Sequence, residues 1–267
     1  MTKHRTGEAG IGFPNLLRQV CFTAILREVP HETFMKLFGR IEVYNDFTPR
    51  SAAMNMAIDE ALLETARTVS IRFYRWKLPA LSFGYFGKFA DVAEYATERD
   101  LVRRWTGGGI VLHGDDLTYS IIIPATEPAF GESPKSIYEK IHCALADALA
   151  ANSGCVELAA MGRDAALRRP RTAQRAVPTN VCFANPVSAD VMVNGRKVAG
   201  AAQRRTRAGL LHQGSIQNVD LANGLAERFA QALSTKCTER KIDNDALKRA
   251  CELAEQKYGT DGWLRKR

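Results

Sequence analysis

Arg103-Arg104-Trp105-Thr106-Gly107-Gly108-Gly109-Ile110-Val111-Leu112-His113 is the stretch from which the rest of this chain can be read. Three glycines behind a basic pair make a loop whose backbone can adopt positive φ and approach a ligand closely, with N–H groups turned toward an anion or a carbonyl oxygen. On its own such a loop is a tight turn. Downstream stand Cys182 and then Gly195-Arg196-Lys197-Val198-Ala199-Gly200, a cysteine and a lysine each set among glycine or proline. They add a candidate nucleophile and a candidate charge partner, and the combination points to acyl transfer.

The chain has 267 residues, 46% hydrophobic and 25% charged, an ordinary balance for a globular protein with one main core. No apolar run reaches the 18 or so residues of a membrane span, and Met1 to Gly12 lacks the apolar segment of a secretory signal. No membrane association and a cytoplasmic location are therefore expected. The six cysteines, Cys21, Cys143, Cys155, Cys182, Cys237 and Cys251, include no C-x-x-C pair, which speaks against a disulfide framework and against a thiolate zinc site. The net charge of +8 gathers at Arg163, Arg168, Arg169, Arg171 and Arg175 and again at Arg204, Arg205 and Arg207, without interleaved aromatics for base stacking. An acidic protein partner is the leading reading of that charge, and nucleic acid the weakest.

Outward from the glycine loop, periodicity marks the elements. Met54, Ala57, Ile58, Ala61 and Leu62 recur at helical spacing behind Ser51, a candidate N-cap. Strands are expected at 71–76, 80–85, 117–123 and 209–216, and Asn194-Gly195 signals a two-residue hairpin between 191–193 and 196–203. Ile137, Ile141, Ala144, Leu145, Ala148 and Leu149 mark a helix, with Cys143 assigned to its apolar face. Two more helices follow over 221–233 and 247–254, and 162–178 reads as a long surface loop. Strands in the middle with helices between and after them predict an α+β layered fold.

Four segments, Asn55 to Ala61, Arg103 to His113, Gly195 to Gln203 and His212-Gln213-Gly214-Ser215, together resemble the biotin/lipoate protein ligase family over roughly Ile41 to Ile242. Cys182-Phe183-Ala184-Asn185-Pro186-Val187-Ser188-Ala189-Asp190 looks like its branch of cysteine-dependent octanoyltransferases. The resemblance implies a mixed, mostly antiparallel sheet flanked by helices, as in the catalytic domains of biotin ligases and class II aminoacyl-tRNA synthetases. It would span 41–267 behind an N-terminal extension, 1–40. The implied reaction moves an octanoyl group from acyl carrier protein, through a Cys182 thioester, to a lysine of a lipoyl-bearing protein such as the glycine cleavage H protein or a 2-oxoacid dehydrogenase subunit. No cofactor and no metal are needed for that. The rivals are an ATP- and magnesium-dependent lipoate ligase, an amidotransferase between lipoyl-type proteins, and a non-catalytic binding protein.

The chemistry sets what each residue must do. A thiolate both accepts an acyl group and releases it to an amine. A free thiol is only about 3% ionised at pH 7, and lowering its pKa by roughly two units makes it about three-quarters thiolate. Lys197 is the expected source of that stabilisation and the proton shuttle when the acceptor lysine attacks. By resemblance, Thr106, Gly107, Gly108 and Gly109 line the acyl site and offer N–H groups to an oxyanion, with Gly200 and Ala201 beside them. Arg103 and Arg104 are expected to hold a phosphate, that of phosphopantetheine or, in a ligase, of a nucleotide. His113 is a proton donor or a pocket wall. Gly114, where the family commonly has aspartate, and Gly87, where it often has glutamine, are departures expected to touch the pocket.

Overall fold

The structure, a computed structural model, describes residues 36–151, 153–160, 186–221 and 224–266. The first strand, β1 (Ile41–Arg50), leads through the Ser51 cap into α1 (Ala52–Thr65), and the Ser51 hydroxyl accepts the Met54 N–H as its residue type predicts. There follow β2 (Ser70–Trp76), β3 (Ala80–Phe83), β4 (Asp100–Arg103), β5 (Val111–His113) and β6 (Leu117–Pro124). Next come α2 (Pro134–Ala150), β7 (Val156–Leu158), β8 (Val191–Val193), β9 (Arg196–Arg205), β10 (Gly209–Ile216) and α3 (Leu225–Leu233). The last elements are β11 (Cys237–Glu239), α4 (Asn244–Leu253), a π-helical turn (Ala254–Tyr258) and α5 (Asp261–Leu264).

Among the described residues, eight strands form one sheet in the order β11-β1-β2-β6-β10-β9-β8-β7. Within this sheet only β11, β1 and β2 run parallel to one another, and the other pairings are antiparallel. The mostly antiparallel α+β arrangement expected from the sequence is thus present. The β8–β9 hairpin turns at Asn194 (φ 50°) and Gly195 (φ 73°), the pair of positive φ values that an Asn-Gly turn supplies.

Strand alternation sends one set of side chains to each face. Ile71 and Phe73 of β2, with Tyr119, Ile121 and Ile123 of β6, pack against Ile137, Ile141 and Leu145 of α2 and Phe229 of α3. The alternate residues Tyr74, Trp76 and Ile122 pack with Met56, Ile58 and Leu62 of α1 and Ala250 of α4. A second, three-stranded sheet, β4-β3-β5, stands on this latter side. Helix α1 is consequently buried all round from Asn55 to Leu63. Its polar Asn55 and Asp59 are accommodated because Arg72, itself fully buried, donates to the Asn55 side chain and to Asp59 at 2.8 Å each.

Cys143 is exposed and not in the core. At about 100° per residue it falls off the stripe defined by Ile137, Ile141, Ala144, Leu145 and Ala148, while its neighbour His142 is drawn inward by hydrogen bonds. The 162–178 loop and most of the 1–40 extension lie outside the described residues. Phe38, within that extension, is a core residue whose N–H bonds the Leu233 carbonyl at 3.1 Å.

Candidate active site

The large and small sheets line a cavity of about 190 Å³ on the α1 side of the fold. A dry cavity near 150 Å³ already takes a benzene-sized molecule, so this one is of ligand size. Met56 of α1 and Tyr74 and Trp76 of β2 supply apolar surface, as do Val111 of β5 and Ala201 and Ala202 of β9. Gln213 and Ser215 of β10 bring polar groups because alternation turns them to the same face as Leu211.

The glycine loop forms the rim. Gly84 packs so closely beneath it that a β-carbon there would stand 2.1 Å from the Gly108 carbonyl oxygen, and Gly108 has φ of 85°. Gly108 and Gly109 line the cavity, and Gly107 does not. Thr106 is buried beside the cavity, donating its hydroxyl to Gln213 Oε1 at 2.7 Å. The Gln213 amide in turn donates to Asp59 at 2.7 Å, which ties the loop to the Arg72 network under the floor.

The two arginines part company. Arg104 lines the cavity, donating to Ser82 Oγ at 2.7 Å and to the Gly107 and Gly109 carbonyls at 3.0 and 2.8 Å. Arg103 points away. Its guanidinium, buried over the Phe83 ring, donates to the carbonyls of Tyr85, Gly87, Trp263 and Leu264. The phosphate-holding role expected for Arg103 is replaced by a clamp, because alternation along β4 sends consecutive side chains to opposite faces. Gly87 serves that clamp, and Gly114 donates its N–H to Asp116; neither lines the cavity.

His113 lines the cavity, stacked on Trp76 with centroids 4.0 Å apart. Its Nδ1 lies 2.7 Å from Asp116 and its Nε2 2.7 Å from Ser82 Oγ. Since Arg104 can only donate to Ser82, the serine proton is available to His113 Nε2, and the Nδ1 proton goes to Asp116. Burial pushes the His113 pKa down, consistent with this neutral ring. Burial works to raise the Asp116 carboxyl, but His113 and hydrogen bonds from Ser215 and Thr118 overcome it and hold it at about 2.

Lys197 lies on the opposite wall, all but buried, with Nζ 2.7 Å from Asp190 Oδ2. Asp190 is held in turn by the Tyr138 hydroxyl at 2.6 Å and the Val187 N–H at 2.7 Å. Gly200 makes room for this pair: a β-carbon there would stand 2.8 Å from Lys197 Nζ and 3.1 Å from Asp190 Oδ1. Cys182 lies outside the described residues. Val187 and Asp190, five and eight residues after it, line the cavity. Among the described residues no group of three His, Cys, Asp or Glu side chains is placed to hold a metal ion.

The structure therefore gathers Arg104, Gly108, Gly109, His113, Lys197, Gly200 and Ala201 around one cavity, keeps Thr106 and Gly107 at its edge, and removes Arg103. Sequence reasoning gave no role to Asp190 or Gln213, although both fall inside quoted motifs. Ser82 and Tyr138 carried no local signal, since only tertiary contacts bring Ser82 to the cavity and Tyr138 to Asp190, whereas Asp116 stands three residues beyond the motif histidine it bonds.

Residues 51–257 match the lipoyl protein ligase A/B catalytic domain. The octanoyltransferase LipM of Oceanobacillus iheyensis is 36% identical over 204 residues, covering 72% of this chain and 71% of that protein. That of Anoxybacillus flavithermus is 31% identical over 274 residues, covering 81% and 95%. Among solved structures, a lipoate-protein ligase A bound with ATP superposes with a TM-score of 0.65 at 20% identity, covering 85% of this chain and 98% of that one. The bi-partite lipoate protein ligase of Thermoplasma acidophilum gives 0.63 at 19% identity, covering 86% and 96%. These two structures establish likeness of fold. By the domain match and the relatives' identity, the chain belongs to the lipoyl protein ligase A/B catalytic domain family.

Proposed function

We propose that the protein is an octanoyltransferase that takes an octanoyl group from acyl carrier protein onto Cys182 and passes it to a lysine of a lipoyl-domain protein, without ATP or metal. The observation that carries this reading is the Lys197–Asp190 pair, set at 2.7 Å in the wall of a cavity with apolar sides. In the first step the Cys182 thiolate attacks the thioester carbonyl, a new carbon–sulfur bond forms, the bond from that carbon to the carrier sulfur breaks, and the carrier thiolate takes the Lys197 proton as it leaves. In the second the acceptor amine attacks the Cys182 thioester. Lys197, neutral after the first step, takes the proton released by the amine as the Cys182 thiolate departs, which restores the starting thiolate and ammonium, with Asp190 holding it in place through both transfers. Gly108 and Gly109 supply close-approaching backbone beside the reacting carbonyl.

The test is the intact mass of the protein after incubation with octanoyl-acyl carrier protein and no ATP, with Cys182→Ala in parallel. One octanoyl group, removed by hydroxylamine and absent from Cys182→Ala, is the expected result. No adduct, together with lipoate activation that appears on adding ATP and magnesium, would make the protein a ligase. Offering an octanoylated lipoyl-type protein as donor in the same assay separates the amidotransferase reading.

A further inference from the structure

Behind the Lys197 wall lies a chain of buried polar groups that the transfer steps do not use. His142 of α2, Tyr119 of β6 and His212 of β10 are all fully buried. The Ala189 carbonyl can only accept, so His142 Nδ1, 2.6 Å away, carries a proton. With Nδ1 protonated, the neutral ring accepts at Nε2 from the Tyr119 hydroxyl at 3.3 Å. The Tyr119 oxygen then accepts from His212 Nε2 at 3.4 Å, and His212 Nδ1 accepts from the Gln203 amide at 3.1 Å. Burial drives the pKa of His142 down to about 4 and that of His212 well below its usual value, which agrees with both rings being neutral. The chain ends at a backbone carbonyl and a side-chain amide, neither of which relays protons, so its effect is to fix direction.

What it fixes is the approach to Asp190. Ala189 has φ of 65°, a left-handed conformation that a β-carbon disfavours. Its carbonyl is held by His142 and its N–H by the Ala159 carbonyl at 2.8 Å. The next residue, Asp190, is thereby turned toward Lys197. His142 also packs on the Tyr138 ring, 4.1 Å between centroids, and the Tyr138 hydroxyl bonds Asp190 Oδ1 while accepting the Ala201 N–H at 3.1 Å. His142 thus touches both supports of Asp190 without lining the cavity.

We propose that His142 is a positioning residue for the transfer: through the Ala189 carbonyl and Tyr138 it sets the Asp190 carboxylate, and so the place of the Lys197 ammonium in the acyl site. The proposal rests on the reading that Lys197 shuttles protons in an octanoyltransferase. The groups facing His142 are Tyr119 from β6, His212 from β10, Tyr138 from its own helix, and the Asp190–Lys197 pair.

The experiment is a double-mutant cycle on transfer from octanoyl-Cys182 to a lipoyl-domain acceptor. It uses His142→Leu, Asp190→Asn and the pair together, each checked for folding by near-ultraviolet circular dichroism. His142→Leu is expected to lower kcat about tenfold with the KM for acceptor unchanged, and to move the limb of the pH–rate profile that Lys197→Met abolishes. His142→Asn, which retains an N–H at the Nδ1 position, is expected to restore most of kcat. The double variant should be no slower than Asp190→Asn alone, because the two act on one device. Multiplying losses, or a folded His142→Leu with wild-type kcat and pH profile, would overturn the proposal. Should His142→Leu not fold, Tyr138→Phe in the same cycle with Asp190→Asn carries the same prediction and the same risk. Full transfer by Lys197→Met would instead sink the underlying reading, whatever His142 does.

Discussion

The two walls of the cavity are built on different principles. The glycine-loop wall is held by shape and by guanidinium groups on backbone carbonyls: Gly84 admits the Gly107 and Gly108 carbonyls, and Arg103 and Arg104 tie the loop to β3 and to α5. The facing wall depends on aim, with one ammonium and one carboxylate meeting over Gly200 and a neutral hydrogen-bonded chain behind them. Faults in the first should therefore register in folding, and faults in the second in rate.

Gly84→Ala puts the sharpest strain on that distinction. The added methyl would lie 2.1 Å from the Gly108 oxygen and 2.6 Å from the Gly107 oxygen, backbone atoms that cannot swing aside. Overpacking typically costs about 1–3 kcal/mol, and a contact with fixed backbone belongs at the upper end of that range. Urea unfolding is expected to show that loss, with the variant poorly folded at the assay temperature. A Gly84→Ala protein as stable as the wild type would mean that the loop has slack, and the contrast between the walls would fail.

Acid titration probes the second wall from behind. His142 has a folded pKa of about 4 against 6.5, lowered by burial, and His212 shifts the same way. Between these values the unfolded chain binds protons that the folded one refuses, so stability is full above about pH 6.5 and falls as pH drops toward 4. For His142 the difference amounts to about 3 kcal/mol. Asp116, held at about 2 instead of 3.8, works in a lower window: its contribution persists above pH 3.8 and goes only as pH falls toward 2. Urea midpoints from pH 7 to 4 are expected to fall steeply for the wild type and less steeply for His142→Asn, while Asp116→Asn, which removes the carboxylate that favours a protonated His113, does not flatten that slope. Equal slopes for all three would show that the histidines are not buried neutral.

The same contrast governs what was legible in the sequence. Periodic elements were plain, because alternation and 3.6-residue spacing report burial directly: β2, β6, α1, α2 and the Asn194-Gly195 hairpin stand where their patterns place them. The short strands β4, β5, β7 and β11, of three or four residues each, carry too little pattern to be seen. The glycine loop and Lys197 were found as motifs, yet the motif could not say that Arg103 turns away from Arg104, since that follows from which face of β4 meets the Leu264 carbonyl. Nor could it reveal His142, whose partners Tyr119 and Ala189 come from two other stretches of chain and Tyr138 from a helical turn before it. Loop chemistry is local and readable; aim is assembled at a distance.

Gly200→Ala is the finest test of that idea. Its methyl would meet Lys197 Cε at 2.7 Å and Nζ at 2.8 Å, but these atoms are the far end of a flexible side chain and can move away at little cost. Stability should therefore change by less than about 1 kcal/mol, in contrast to Gly84→Ala. Displacing Nζ from Asp190 is another matter for catalysis, because a proton shuttle misplaced by an ångström loses much of its effect. The expected result is a kcat for transfer to the acceptor lowered about tenfold or more, with the melting temperature unchanged. If kcat and stability instead fall together, the Lys197 wall is built like its neighbour, by shape, and the ion pair is a consequence of the packing instead of its purpose.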